Sequence, residues 1–321
     1  LCARNETAKA KVLVLQRQRH RAEDLRHLRD GSVQTPHVRS EWENLLPPMQ
    51  ARLYHWRMRM PEEIVMVTTF KRDALLYLCL ESIRSEDSRI PILVFSDRNH
   101  DSENMRSACG KFGARFTIRT QPLGFGNSYN VIEGLRTCVA MGAEIVHSIE
   151  DDTIIHGKYL SWARSKLSIN PPQFAVALGR IPGDIHSTWY ESPCVSWNAS
   201  MLAQCLEKVP LGYFADTREE MQKVVDAAFP HSHYRFGSAE QDGLFLRCLE
   251  FFKWKTAYPP HSMASHLGFW SEGYNRPSEL CPPGTFAEQV EACRKVLHDR
   301  TRRIELFGQG ITEKEMEGMN A

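Results

Sequence analysis

The chain has 321 residues, of which 42% are apolar and 25% charged, with a formal net charge of +1. That length suits one large α/β domain or two modest ones, and the balanced charge gives no global pull toward nucleic acid or a membrane surface. The longest apolar runs, at 64–67 and 91–95, are strand-length, so no membrane span is expected in this chain.

Nine cysteines form an odd set with no CxxC pair or zinc-ligand spacing, which favours reduced thiols and a cytoplasmic location. Two sequons, Asn5-Glu6-Thr7 and Asn198-Ala199-Ser200, keep a luminal location with a removed N-terminal anchor as the competing reading.

Residues 1–60 carry twelve Lys/Arg against six Asp/Glu and read as a basic helical N-terminal extension. A polar helix over 6–30 bears a thin stripe of Val12, Leu13, Leu15, Leu25 and Leu28, and Asp30-Gly31-Ser32 ends it. The plain reading is a solvated helix; the functional one is contact with an anionic partner.

From Pro61 the pattern alternates. Strands are expected at 64–69, 92–96, 115–119 and 144–149, with helices at 72–85, 102–112 and 128–141 between them. This order implies a mostly parallel sheet flanked by helices, with ligands at the carboxyl ends of its strands. The second half is less regular. Strands are expected at 174–179 and 194–197, helices at 199–208 and 239–251, an extended segment at 256–265 and a closing helix at 286–302. The division is 1–60 as extension, 61–282 as the main domain (halves 61–152 and 153–282), and 283–321 as C-terminal helix and tail.

Glu150-Asp151-Asp152 follows the fourth strand directly. Adjacent carboxylates at a buried strand end repel one another and lose hydration, which a divalent cation and a diphosphate would relieve. The structural alternative is an acidic start to the next helix. Two other strand ends also carry polar groups, Thr69, Lys71 and Arg72 after the first and Ser96-Asp97 after the second, so the three sets should converge on one rim.

The segment from Ile64 to Arg72, ending Thr68-Thr69-Phe70-Lys71-Arg72, resembles the opening of family 2 glycosyltransferases of the GT-A (Rossmann-like) fold. Ile92-Leu93-Val94-Phe95-Ser96-Asp97 is similar to their second strand, and Glu240-Gln241-Asp242-Gly243 to their base-bearing helix. The Glu-Asp-Asp triplet, with Ser265-His266-Leu267-Gly268 downstream, resembles inverting enzymes of the N-acetylglucosaminyltransferase I type. The resemblance covers about residues 62–276 as a pattern of motifs.

It implies an inverting, metal-dependent transfer of a sugar from a nucleotide-sugar donor, preferably a UDP-sugar, to a hydroxyl acceptor. Asp152 would hold Mn²⁺ or Mg²⁺ with His266 as a second ligand, while Glu150 and Asp151 would support the ribose, the donor sugar or bound water. Thr69, Lys71 and Arg72 would cradle the nucleotide, Asp97 would accept from the uracil imide, and Asn127 and Asn130 would lie near the donor. Asp242 would be the catalytic base, with Glu240 the runner-up. Two residues earlier on a helix, Glu240 would point about 200° away. Trp189, Tyr190 and Trp270 would form an acceptor platform, whereas Trp197 reads better as packing.

The structural alternatives are a capped helix start for Arg72, a turn for Asp97, and a satisfied structural histidine for His266. The acceptor stays open: a glycan, or an anionic polymer such as nucleic acid held by the basic residues 1–60. Competing functions are a sugar-1-phosphate nucleotidyltransferase and a non-catalytic nucleotide-sugar or nucleic-acid binding module. Against the first, the loop after the first strand reads Thr68-Thr69-Phe70-Lys71-Arg72 where that class carries a glycine-rich loop.

Overall fold

The computed structural model describes residues 62–97, 100–119, 127–169, 172–177, 193–233, 240–259, 262–267 and 284–308, with side chains described to residue 298. All of them fall within one unit, Met60–Ala321. The N-terminal extension and the proposed acceptor residues Trp189, Tyr190 and Trp270 lie outside the described residues.

Three apolar strands form the middle of the fold: β1 (Glu63–Thr69), β2 (Ile92–Ser96) and β4 (Ile145–Glu150). They are nearly continuous hydrophobic runs because both faces of the sheet are covered. Alternate residues go to opposite sides: Ile64 and Met66 join one core cluster, Val65 and Val67 the other. With β3 (Arg115–Ile118), β6 (Phe174–Val176), β7 (Cys194–Asn198) and β8 (Thr256–Ala257), they make a seven-stranded sheet of order β3-β2-β1-β4-β7-β6-β8. All pairings are parallel except those of β7, which runs antiparallel to both β4 and β6. The mostly parallel α/β architecture is therefore the expected one. A small separate sheet pairs β5 (Thr153–Ile155) with β9 (Ala264–His266).

Helices α1 (Asp73–Glu86), α2 (Glu103–Lys111) and α3 (Ser128–Ala140) lie between the first four strands, near their expected bounds. In α1, Leu75, Leu76, Cys79, Leu80 and Ile83 form the buried stripe at helical spacing. Ser102 starts α2, its hydroxyl accepting from the Met105 amide at 3.0 Å. Gly134 of α3 permits close approach to the sheet: a Cβ there would meet Met66 Sδ at 2.6 Å and the Phe95 ring at 3.1 Å.

The later helices are α4 (Tyr159–Leu167), α5 (Ala199–Glu207), α6 (Arg218–Ala228), α7 (Gln241–Phe252) and α8 (Phe286–Gly308). Strand β4 extends one residue further than expected, so Glu150 is its last residue. The extended segment at 256–265 contains two short strands, β8 and β9, in different sheets. Three elements, β5, α4 and α6, had no counterpart in the sequence reading. The start of α4 is capped from far away, the Tyr159 and Leu160 amides donating to the Glu86 carboxylate at 3.0 and 2.9 Å. Only Met221 and Val225 of α6 are buried, which leaves too thin a stripe to stand out. Trp197 is fully buried, its ring 4.2 Å from Phe174 and 4.8 Å from Phe245, centre to centre, so it packs the core. The seven described cysteines are buried and free of disulfides. Among the described residues no helix is long and apolar enough to cross a membrane.

Candidate active site

Register brings the polar strand ends together. Thr69 of β1 lies beside Ser96 of β2, and Thr68 beside Glu150 of β4, so the three ends share one rim. After Glu150 the chain turns through Asp151 and Asp152 into β5. The Asp151 amide donates to the Thr68 carbonyl at 3.0 Å, and the Leu267 amide to the Asp152 carbonyl at 2.8 Å. Because Thr153 pairs with His266 across the small sheet, the imidazole is delivered to the acidic turn.

The result is a cluster in which ligand atoms of Glu150, Asp152 and His266 all lie within 4.8 Å of one another. Asp151 belongs to a different arrangement. Its Oδ2 accepts from Thr69 Oγ1 at 2.7 Å and from the Phe70 amide at 3.3 Å, while Arg72 Nη2 is 2.5 Å from Oδ1. The other arm of the guanidinium, Nη1, donates to Asp152 Oδ2. His266 Nε2 is 3.3 Å from Asp152 Oδ1.

Both inner acids are almost wholly buried, with side-chain exposures of 0% for Asp151 and 3% for Asp152. Burial works against ionising Asp152, but Arg72 and His266 outweigh it and hold the carboxyl down at about 2. Burial pushes Asp151 up and Arg72 draws it back, leaving it at about 6. Glu150 is raised furthest, to about 7, by burial first and then by Asp152, with a smaller push from Asp242. His266 moves the other way: burial opposes its protonation, yet the Asp152 contact raises it. Arg72 stays charged, since the field of the three acids exceeds the desolvation of its guanidinium. Three carboxylates thus face one permanent cation and one imidazole, and fully ionised they retain an excess negative charge.

Asp242 enters from α7. The start of this helix is tied to the start of α3: Ser128 Oγ donates to Gln241 Oε1 at 2.8 Å and accepts from the Gln241 amide at 3.3 Å. Asp242 lies in the first turn, partly buried, close enough to act on Glu150. Glu240 is the residue before the helix and forms an ion pair with Arg218 at 2.6 Å. Both acids act on the buried Tyr213 phenol.

The other expected residues divide. Asp97 is buried at the end of β2, its amide donating to the Thr69 carbonyl at 3.1 Å. Asn130 is also buried, but its Nδ2 donates to the Phe95 carbonyl at 2.8 Å, fastening α3 to β2. Asn127 precedes α3 without a side-chain capping bond. Lys71 is exposed, in a left-handed backbone conformation (φ 58°), with its ammonium 5.1 Å from the centre of the Phe70 ring. The sequence reading missed the grip of Arg72 on two of the acids, for which spacing offers no signal. It also missed Tyr213, a buried phenol within the field of Asp242.

No family model matches this sequence, and a search of curated proteins finds no match. Solved structures do align with it. Mannosyltransferase PcManGT from Pyrobaculum calidifontis, in complex with GDP-Man and Mn²⁺, is 14% identical, with 70% of this chain and 66% of that one covered and a TM-score of 0.42. Glucosyl-3-phosphoglycerate synthase from Mycobacterium tuberculosis, in complex with phosphoglyceric acid, is 15% identical over 79% of this chain and 81% of that one, with a TM-score of 0.40. S. aureus TarS is 12% identical, with 52% and 33% covered and a TM-score of 0.36. The aligned part thus spans no more than two thirds of the mannosyltransferase or of TarS. These likenesses are weak.

Proposed function

We propose that this chain is a metal-dependent glycosyltransferase that moves a sugar from a nucleotide-sugar donor, of the UDP class, to a hydroxyl acceptor with inversion. One observation carries the reading: Glu150, Asp152 and His266 converge within 4.8 Å at the carboxyl ends of parallel strands, with Asp242 in electrostatic reach.

The donor set fits a divalent cation. Two carboxylates and one imidazole suit Mn²⁺, and Mg²⁺ to the extent that it accepts a nitrogen ligand. With all three acids ionised, their excess negative charge favours such an ion further. When bound, it supplies Lewis-acid stabilisation of the negative charge on the departing diphosphate.

The remaining roles fall to the chain. Asp152 and His266 hold the ion, and Glu150 completes the set, closer to it than the donor-supporting role expected for this residue. Asp97, at the neighbouring strand end, accepts from the imide of the base. Asp242 takes the proton of the acceptor hydroxyl as its oxygen bonds to the anomeric carbon. The bond from that carbon to the diphosphate oxygen breaks, and its electron pair leaves with the diphosphate.

Calorimetric titration of UDP with and without Mn²⁺ tests the reading, alongside hydrolysis of a panel of UDP-sugars. UDP should bind only when Mn²⁺ is present, and Asp152→Asn should abolish that binding. Equal UDP affinity in EDTA and in the Asp152→Asn variant would sink the proposal.

A further inference from the structure

Arg72 occupies the acidic turn in a way that a divalent ion would contest. Its two terminal nitrogens reach two different carboxylates, Asp151 Oδ1 at 2.5 Å and Asp152 Oδ2. Asp151 keeps other donors, the Thr69 hydroxyl and the Phe70 amide, both on Oδ2. Asp152 is different: its Oδ2 is taken by Arg72, and its Oδ1 faces His266. The side chain of Arg72 is 25% exposed and that of Asp152 3%. It springs from the residue that opens α1, directly after the left-handed Lys71, at the rim where the strand ends meet.

We propose that Arg72 is an internal counter-cation that holds Asp152 until a divalent ion arrives, and that the ion displaces it toward the diphosphate of the donor. This rests on the metal-dependent reading above and adds a coupling to it. A guanidinium on Asp152 and a dication on the same carboxylate repel each other at short range. Freed from Asp152, the planar fork is suited to phosphate oxygens close by. Metal and donor then bind cooperatively: each relieves a contact that the other would have to break. Arg72 is a positioning residue here, and the experiment reads metal binding without turnover.

Titrations of Mn²⁺ alone, followed by electron paramagnetic resonance of the free ion, would be run on wild type, Arg72→Gln, Arg72→Lys and Asp152→Asn. Removing the competing cation should tighten Mn²⁺ binding in Arg72→Gln by about tenfold, within the usual range of coupling between two ligand sites. Arg72→Lys, a point charge unable to bridge both acids, should tighten it by less. The gain in UDP affinity that Mn²⁺ confers should shrink in both variants. If Arg72→Gln does not fold, Arg72→Lys carries the test in the same direction.

Unchanged or weaker Mn²⁺ binding in the Arg72 variants would overturn the proposal, since Arg72 would then be organising the acids for the metal. If wild type binds no Mn²⁺, or Asp152→Asn binds it equally well, the metal-dependent reading itself falls and this inference with it.

Discussion

The two ends of the β1–β4 strand pair differ in how completely their carboxylates are compensated. At the start of β1, Glu63 has its oxygens shared between Arg164, with Nη2 at 2.8 Å, and His147 Nε2 at 3.4 Å. His147 in turn meets Ser196 Oγ at 2.6 Å, and Ser196 meets the Tyr159 hydroxyl at 2.7 Å. Burial opposes ionisation of Glu63, yet His147 and Arg164 bring its pKa down to about 2. At the far end, Glu150 and Asp151 are raised to about 7 and about 6 in spite of Arg72 and His266. Arg164 and His147 together hold down the one carboxyl between them, whereas at the rim Arg72 and His266 hold down Asp152 and leave its two neighbours raised. On this incomplete compensation at the rim rests the proposed metal site.

The sharpest break of this comparison is at Asp242. Asp242→Asn should lower the transfer rate by roughly 10²- to 10⁴-fold, the usual worth of a general base, while leaving Mn²⁺-dependent UDP binding intact. Glu240→Gln loses the partly exposed pair with Arg218 and should stay within about threefold of wild type. Steady-state rates with titrated UDP affinity separate the two. Similar losses in both variants would mean that the first turn of α7 acts through its fold.

Metal should act on the rim and not on the Glu63 network. Saturating Mn²⁺ should raise the thermal midpoint by about 5 °C at pH 8, as expected for a ligand far above its dissociation constant. Glu150, with its folded pKa raised to about 7, keeps its proton above the pH at which the unfolded chain releases it. Its burial therefore reduces metal-free stability as pH rises toward 7, and metal binding must expel that proton. The shift should shrink between pH 8 and pH 5. Scanning fluorimetry against EDTA controls reads it, and a shift independent of pH would remove Glu150 from the ligand set.

The smallest effect belongs to the satisfied end. Glu63→Gln should cost about 1–2 kcal/mol at pH 7, discounted because Arg164 is partly exposed. The depressed pKa of Glu63 stabilises the fold fully above about 4.5 and is lost as pH falls through about 2. The gap between variant and wild type should therefore close over that interval in denaturant melts. Mn²⁺ binding should not change.

Much of the rim was legible from residues alone. Apolar runs at 64–67 and 92–95, each followed by polar groups, announced buried parallel strands with polar ends on one rim. Asp97, Glu150, Asp151 and Asp152 stand where that pattern put them, and His266 was identified through the motif around it. Less was legible where contacts are distant. Helix α4 takes its cap from Glu86, β5 has only three residues, and the anchor of Asn130 on the Phe95 carbonyl has no sequence signature.

By itself, then, the sequence determined the alternation of buried strands and helices and the acids that close the fourth expected strand, because hydrophobic period and adjacency are local properties. Only the tertiary structure decided which acid faces which cation. Arg72 bridges Asp151 and Asp152, Asp151 also takes the Thr69 hydroxyl, and Asp152 also faces His266, because strand register and the β5–β9 pairing bring together residues about eighty or more positions apart. Charge compensation over such separations depends on distance in space, and no spacing along the chain encodes it.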